Sequence, residues 1–433
     1  MRFDRWVRAR WPVIVACGPI AVLSTAASGA PADPEVAATQ VEQDETSESD
    51  FSEPPSRTIE PSWTEYDLKF LTFRWGIFTL EDWGNAIQSD ASRDQIDVDE
   101  GFKVRDFRFT LGGKLATKRP ITYTSGIMYD GPSASWLVRE TGIQVGIPEL
   151  WGNVFVGRQK EGISLSKITT GYAVWTMERT PITDATIPIL ADGIKWLGGL
   201  PSHRANWNFT YYYNELLTSP ATDWYDQSFV GRVAVLPVRN DATGLLLHLG
   251  VAYRWGQYSN GVAQLDSRPE SSTAPFFIDT GTFPADEDHL LGLELYFRNG
   301  SWFAGAEYFF DNVRAPQVGN PLFHGGNVFV TWLMTGEQRP YIDVGGKAGF
   351  VKPRHSAFSG GPGAWEALLN YSYADLDSQQ VTGGTFWRLT PGINWYIDDM
   401  TSFRWSYGLG WLDRFGTQQL THFLQARFEV KIQ

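Results

Sequence analysis

The chain has 433 residues and a formal net charge of −13, which argues against nucleic acid as a partner. Aromatic residues make up 15% of it, with 19 Trp, a load more typical of membrane–water boundaries than of a soluble core. Beyond residue 30 no stretch approaches about 18 consecutive apolar residues, which excludes membrane-spanning helices but leaves a closed barrel open.

Residues 1–30 read as a secretory signal peptide. Arg2, Arg5, Arg8 and Arg10 precede a mostly apolar run from Trp11 to Ala27, and Ser28-Gly29-Ala30 offers small residues for cleavage. The sole cysteine, Cys17, lies in that run, so the exported chain is expected to carry no disulfide. Residues 31–60 hold nine acids and one base, Arg57, among prolines and serines. Such a segment has too little apolar surface to fold and is expected to be a disordered periplasmic linker. The remainder, 61–433, reads as one domain.

From Trp63 onward, short alternating stretches are separated by Gly, Pro, Asn and Asp. Leu245, Leu247, Leu249, Val251, Tyr253 and Trp255 share one face of a strand, with His248, Gly250, Ala252 and Arg254 on the other. The pattern recurs at Leu291–Arg298, Trp365–Tyr373, Trp387–Trp395 and Phe403–Trp411. It ends in Leu424, Ala426, Phe428, Val430 and Ile432, opposed by Gln425, Arg427, Glu429 and Lys431. Each stretch is about 9–11 residues, the length of a tilted membrane strand. Aromatics bracket the apolar faces as interfacial girdles do, and the charged and small residues opposite suit a wet lumen. The expected fold is therefore all-β, a transmembrane antiparallel up-and-down barrel. About 370 residues at roughly 23 per strand and connector give on the order of 16 strands.

Asn299-Gly300 is a strong hairpin signal, and Asp398–Thr401 closes another. Long polar connectors at Gln257–His289 and Val313–His324 are expected outside the cell, with short turns in the periplasm. Asp286-Glu287-Asp288-His289 lacks the spacing of a calcium loop and reads as an exposed acidic loop, so no metal is expected. His324-Gly325-Gly326 reads as a glycine turn before a strand at Val328–Met334. No H-E-x-x-H or G-x-S-x-G motif is present, so neither an enzyme nor a cofactor is implied.

Several short motifs follow one another in order. Thr335-Gly336-Glu337, Gly363-Ala364-Trp365-Glu366, Tyr371-Ser372, Asp375-Leu376-Asp377, Gly383-Gly384 and Asn394-Trp395-Tyr396 resemble the phosphate-selective porin O and P family. Phe155–Gln159, Met177-Glu178-Arg179, Gly231-Arg232-Val233 with Leu236-Pro237, and Val104–Phe109 resemble its first half, so the likeness covers roughly residues 65–433. The resemblance implies a 16-stranded, usually trimeric outer-membrane channel whose type members pass phosphate through a lumen lined by arginine and lysine. Two features depart from it. One is a shortage of cations, with no R-x-R-x-R ladder and only Lys195, His203 and Arg204 in the region 180–205 read as a loop; the other is the chain's end on Ile432-Gln433 rather than on an aromatic or apolar residue.

By parity Arg105, Arg254, Arg298, Arg388, Arg404 and Arg427 point away from lipid. Arg108, Lys114, Arg158, Lys160, Arg179 and Arg232 lie in the family-like first half and join them as candidates for an anion path. The competing account pairs these cations across the lumen with inward acids such as Glu294, Glu307, Glu366 and Glu429. The expectation is an outer-membrane porin, a homotrimer in contact with outer-membrane lipid, giving passive diffusion of small polar or anionic solutes such as phosphate. The alternative is a secreted soluble β-sandwich, an adhesin or carbohydrate-binding protein whose aromatics would be binding platforms.

Overall fold

The computed structural model describes residues 64–214, 216 and 224–433. The expected signal peptide and acidic linker lie outside the described residues. Strand β1 (Thr72–Gln88) is followed by β2 (Gly101–Leu115), β3 (Ile121–Asp130) and β4, which runs as Ser135–Val138 and Thr141–Ile147 with a break at Arg139-Glu140. The wall continues through β5 (Gly152–Gln159), β6 (Ala191–Gly199), β7 (Ala205–Tyr213), β8 (Tyr225–Asn240) and β9 (Leu245–Tyr258). Strands β10 (Glu287–Asn299), β11 (Trp302–Arg314), β12 (Leu322–Leu333) and β13 (Ala364–Ser378) come next. Then β14 (Val381–Tyr396), β15 (Thr401–Arg414) and β16 (Thr417–Ile432) complete it.

Each strand pairs antiparallel with the next, and β16 returns to β1 with Ile432 opposite Ile77 and Thr421 opposite Gln88. The sheet has 18 segments. Glu65–Asp67 only extends the start of β1, and both halves of β4 pair with β3, which leaves sixteen strands in a closed barrel. Closure satisfies every strand edge, the condition for crossing a bilayer without helices. It also removes the soluble sandwich, which would need two separate sheets.

The alternation places the apolar phase outward as expected. Leu249 is 40% exposed and Leu295 47%, whereas their inward neighbours His248 and Arg254 are fully buried. Two aromatic belts mark the rims. One holds the stacked pairs Trp302–Trp332 and Trp365–Trp395, with ring centroids 5.3 and 5.1 Å apart. The other holds Trp387 and Trp411, together with tyrosines that meet histidines: Tyr253–His289 at 2.7 Å, Tyr308–His324 at 2.8 Å and Tyr407–His422 at 2.5 Å.

Turns follow local chemistry. Gly300 takes a positive φ of 54° in the hairpin that sets Asn299 opposite Trp302, and Phe415-Gly416 both take positive φ between β15 and β16. The rim that carries the short turns 116–120, 148–151, 200–204, 241–244, 300–301 and 397–400 is the periplasmic one. That rim also carries the long connector 334–363, against the expectation of short turns there.

Several local expectations are corrected. The region 180–205 is not one loop: it holds helix Pro181–Thr186, strand β6 and a turn. His324-Gly325-Gly326 lies inside β12, paired with Asp375, Ala374 and Tyr373 of β13. Strands β8–β16 run 12 to 16 residues, longer than the expected 9–11. Most of the low wall, by contrast, is built of strands of 8 to 10 residues in β3 and β5–β7.

Candidate permeation path

The lumen is not simply wet. Connectors 160–190, 259–286 and 334–363 fold into it, and their apolar side chains find partners on the inward phase of the strands. Phe277 packs on Phe386 and Phe423, each at 5.6 Å between centroids, and Phe283 meets Phe323. Trp175, from connector 160–190, is fully buried and stacks on Phe329 at 4.2 Å with Phe303 against its edge. Burial of this much aromatic surface makes the inserted connectors part of the protein's core.

Charge fixes where these connectors sit. From Tyr172 to Met177 every backbone carbonyl accepts a side-chain hydrogen bond. Arg404 donates to Tyr172, Val174 and Thr176 at 2.9, 2.6 and 3.2 Å. Arg339 serves Ala173 at 2.7 Å, Asn394 serves Trp175 at 2.9 Å, and Arg427 serves Met177. An irregular buried segment has no ladder to satisfy its carbonyls, and here the barrel wall and connector 334–363 supply the donors. The guanidinium groups are themselves paired: Arg404 with Glu429 at 2.9 Å, Arg339 with Glu366 at 2.6 Å, and Arg427 with Asp82 at 2.6 Å. Glu178 ends the stretch between Arg105 and Arg427. Burial would raise its carboxyl, but these two cations outweigh that and hold it at about 2.

The other predicted cations are placed in similar ties. Arg254 reaches Asp288 at 2.5 Å, Glu161 at 3.2 Å and the Thr186 carbonyl at 2.7 Å. Asp288 is therefore a buried partner at the start of β10, not part of an exposed acidic loop. Arg388 holds connector 259–286 through the Pro269 carbonyl and bonds Gln425, with Gly408 leaving the space: a Cβ there would lie 2.2 Å from Arg388 Nε. Arg232 pairs with Glu294 at 2.7 Å and donates to the Gly345 and Gly346 carbonyls at 2.7 and 3.0 Å. Arg298 donates to the carbonyls of Gly244 and Arg339. Arg105 meets Asp130 and Glu178, each at 2.8 Å, Arg108 meets Asp106, and Arg158 meets Asp192 at 2.9 Å. Arg179 donates to the carbonyls of Ser166, Lys167 and Thr169. Lys114 stands half-buried at the periplasmic end of β2. Of the inward acids, Glu307 accepts from Ser166 at 2.5 Å rather than from a cation.

Open space remains along the low wall. A cavity of about 90 Å³ lies between connector 160–190 and strands β3–β7. Three lysines line it: Lys160 just past β5, Lys195 on β6 and Lys347 on connector 334–363, among the amides Gln144, Gln159 and Asn208. Lys195 Nζ donates to the Lys160 carbonyl at 2.8 Å, and Lys160 Nζ lies 3.5 Å from the Thr169 carbonyl. Glu140 is the one acid in the lining, and Arg139 pairs with it at 2.9 Å. The lining is thus basic in composition, three lysines to one acid. Parity on β6 identifies Lys195 once that strand is known. Lys347 had no signal, because nothing local in 334–363 says that the connector turns inward. Among the described residues no cluster of His, Cys, Asp or Glu is arranged to hold a metal.

Comparison with known proteins bears on this geometry. The sequence model of the family described as "Phosphate-selective porin O and P" matches residues 83–432. The fold is similar to the anion-selective porin from Comamonas acidovorans, with a TM-score of 0.52 and 10% identity over 83% of this chain and 99% of that one. It is similar also to OmpT of Vibrio cholerae in a trimer form, at 0.52 and 10% over 83% and 99%. The outer membrane channel DcaP of Acinetobacter baumannii scores 0.52 at 7% identity over 84% and 99%. A curated relative, an uncharacterized protein of Caulobacter vibrioides, is 28% identical over 167 residues, 38% of this chain, and the match spans 34% of that relative's length.

Proposed function

The chain belongs to the phosphate-selective porin O and P family of outer-membrane channels, and on that premise we propose that it passes small hydrophilic anions, phosphate among them, by passive diffusion along the low wall of the barrel. The observation that carries the reading is the grouping of Lys160, Lys195 and Lys347 around one cavity with a single, already paired acid. Clustered ammonium groups on a low-dielectric wall attract anions and offset their lost hydration. No covalent step is involved, and the family's members are channels rather than enzymes. Of the twelve basic residues read from sequence, the proposal keeps Lys160 at the path. Most of the arginines hold the connectors that narrow it, while Arg108 and Arg158 pair with carboxylates of the wall. A homotrimer in outer-membrane lipid completes the proposal, supported by the trimer form of the Vibrio cholerae neighbour.

The test is planar-bilayer reconstitution, recording single-channel conductance and reversal potential in a chloride gradient with and without phosphate. Anion-selective steps reduced by phosphate are the expected result. Cation-selective steps, or steps indifferent to phosphate, would leave a porin and remove its anion role.

A further inference from the structure

A second cavity, of about 310 Å³, lies below the lysine-lined one, between the periplasmic turns 148–151 and 200–204. The two follow one another along the same strands. Gln144, Leu197 and Asn208 face the upper cavity, while Gly146, Gly198 and Asn206 of the same three strands face the lower. Val344 lines both. Among the described residues it alone is common to both linings.

Its position is set by a small hairpin. Tyr341-Ile342 pair with Lys347-Ala348, and the four-residue turn Asp343–Gly346 carries Val344 at its tip. Gly345 and Gly346 both take positive φ, 80° and 59°, which glycine alone adopts without strain. The turn is anchored on every side. Asp343 is gripped by His203 of the turn 200–204 at 2.9 Å and by Arg239 at the periplasmic end of β8. Arg232 holds the two glycine carbonyls, and Tyr341 Oη meets His248 at 2.8 Å and Asn206 at 3.2 Å. An apolar side chain so fixed between two cavities offers a solute neither charge nor hydrogen bonds, only a limit of size.

We propose that Val344 is the size-selecting constriction of the permeation path, set directly below the lysines that select for charge. The inference rests on the lysine-lined path proposed above. Charge and size are then read by different residues, and the two can be altered independently.

The experiment compares wild type with Val344→Gly, Val344→Trp and Val344→Cys in planar bilayers, with Lys195→Glu alongside. Val344→Gly should raise single-channel conductance about twofold and Val344→Trp should lower it by about half, both without reversing ion selectivity. Because Cys17 is the only cysteine of the sequence, a cationic methanethiosulfonate added to open Val344→Cys channels should cut the current in steps. That arm acts on a channel already folded and conducting, so a folding defect in the Trp variant does not decide the matter. If all three variants conduct like wild type and the reagent leaves the current unchanged, the constriction is elsewhere and the inference falls. A shifted reversal potential in Lys195→Glu would then show that the lysine path survives it. If Lys195→Glu leaves selectivity unchanged as well, the path itself is wrong.

Discussion

Arg404 reaches from β15 to the Val174 carbonyl at 2.6 Å while pairing with Glu429 of the next strand at 2.9 Å. A single guanidinium thus ties the barrel wall to the connector that crosses its lumen. Together with Arg339, Arg427 and Asn394 it converts an irregular segment into a fixed element, because each carbonyl from Tyr172 to Met177 gains a donor that no turn of its own would supply.

Arg404→Ala leaves Glu429 buried without its cation and three carbonyls short of a donor. Losing one partner of a buried pair costs about 3–5 kcal/mol. The expected result is a lower urea midpoint for the refolded barrel and noisier single-channel current as connector 160–190 loosens. Arg404→Lys should recover little, since one ammonium does not reproduce a fork that serves four acceptors. An unchanged midpoint in both variants would mean that the connector is held by its aromatic packing alone.

The lysine grouping predicts an electrostatic effect on permeation. Lys160→Glu combined with Lys195→Glu turns two of the three positive groups around the upper cavity negative. Anion preference should fall about tenfold, the low end of what a focused field does to local ion concentration. Reversal potentials in a chloride gradient measure it, and the loss should shrink at high salt as screening grows.

The lipid-facing phase was legible because it is local. Leu245 to Trp255 alternate with His248, Ala252 and Arg254, and the structure sends the first set outward and the second inward. The inward phase was only half legible. Phe323, Phe386 and Phe423 occupy positions that a water-filled lumen would leave polar, and their partners Phe277 and Phe283 sit in a connector with no period of its own. The arginines could be placed on the right face by parity. That they grip backbone carbonyls far away in sequence, as Arg427 does at Met177, depends on how the connectors fold back, which no spacing encodes. Connector 334–363 escaped for the same reason: its glycines announce turns but not the direction in which the hairpin bearing Val344 points.

Glu270, in connector 259–286, accepts from Ser372 and faces Arg388, Asp184 and Glu178; burial, partly opposed by Arg388, pushes its carboxyl from 4.5 up to about 7. A raised acid pKa means that the folded state holds the proton more tightly than the unfolded one. The stability this contributes is full below pH 4.5 and is lost as pH rises through about 7. Glu270→Gln should therefore match wild type in thermal midpoint near pH 4 and exceed it at pH 8. A constant difference across that range would mean that Glu270 does not titrate there.

The outward leucines test the membrane reading most directly. Leu249 on β9 and Leu295 on β10 stand opposite each other in register, 40% and 47% exposed on a surface that water would not favour. Arginine there must be buried in hydrocarbon, at a cost of about 2–4 kcal/mol near the bilayer midplane. Leu249→Arg and Leu295→Arg should lower the folded fraction in vesicles at intermediate urea and reduce detergent-resistant assembly. Leu409→Arg on β15 should behave alike, since its side chain has the same phase. The inward change Ala252→Ser, one strand position from Val251, is a control that keeps the lipid face intact. If the leucine variants fold into vesicles as well as that control, this phase does not face lipid.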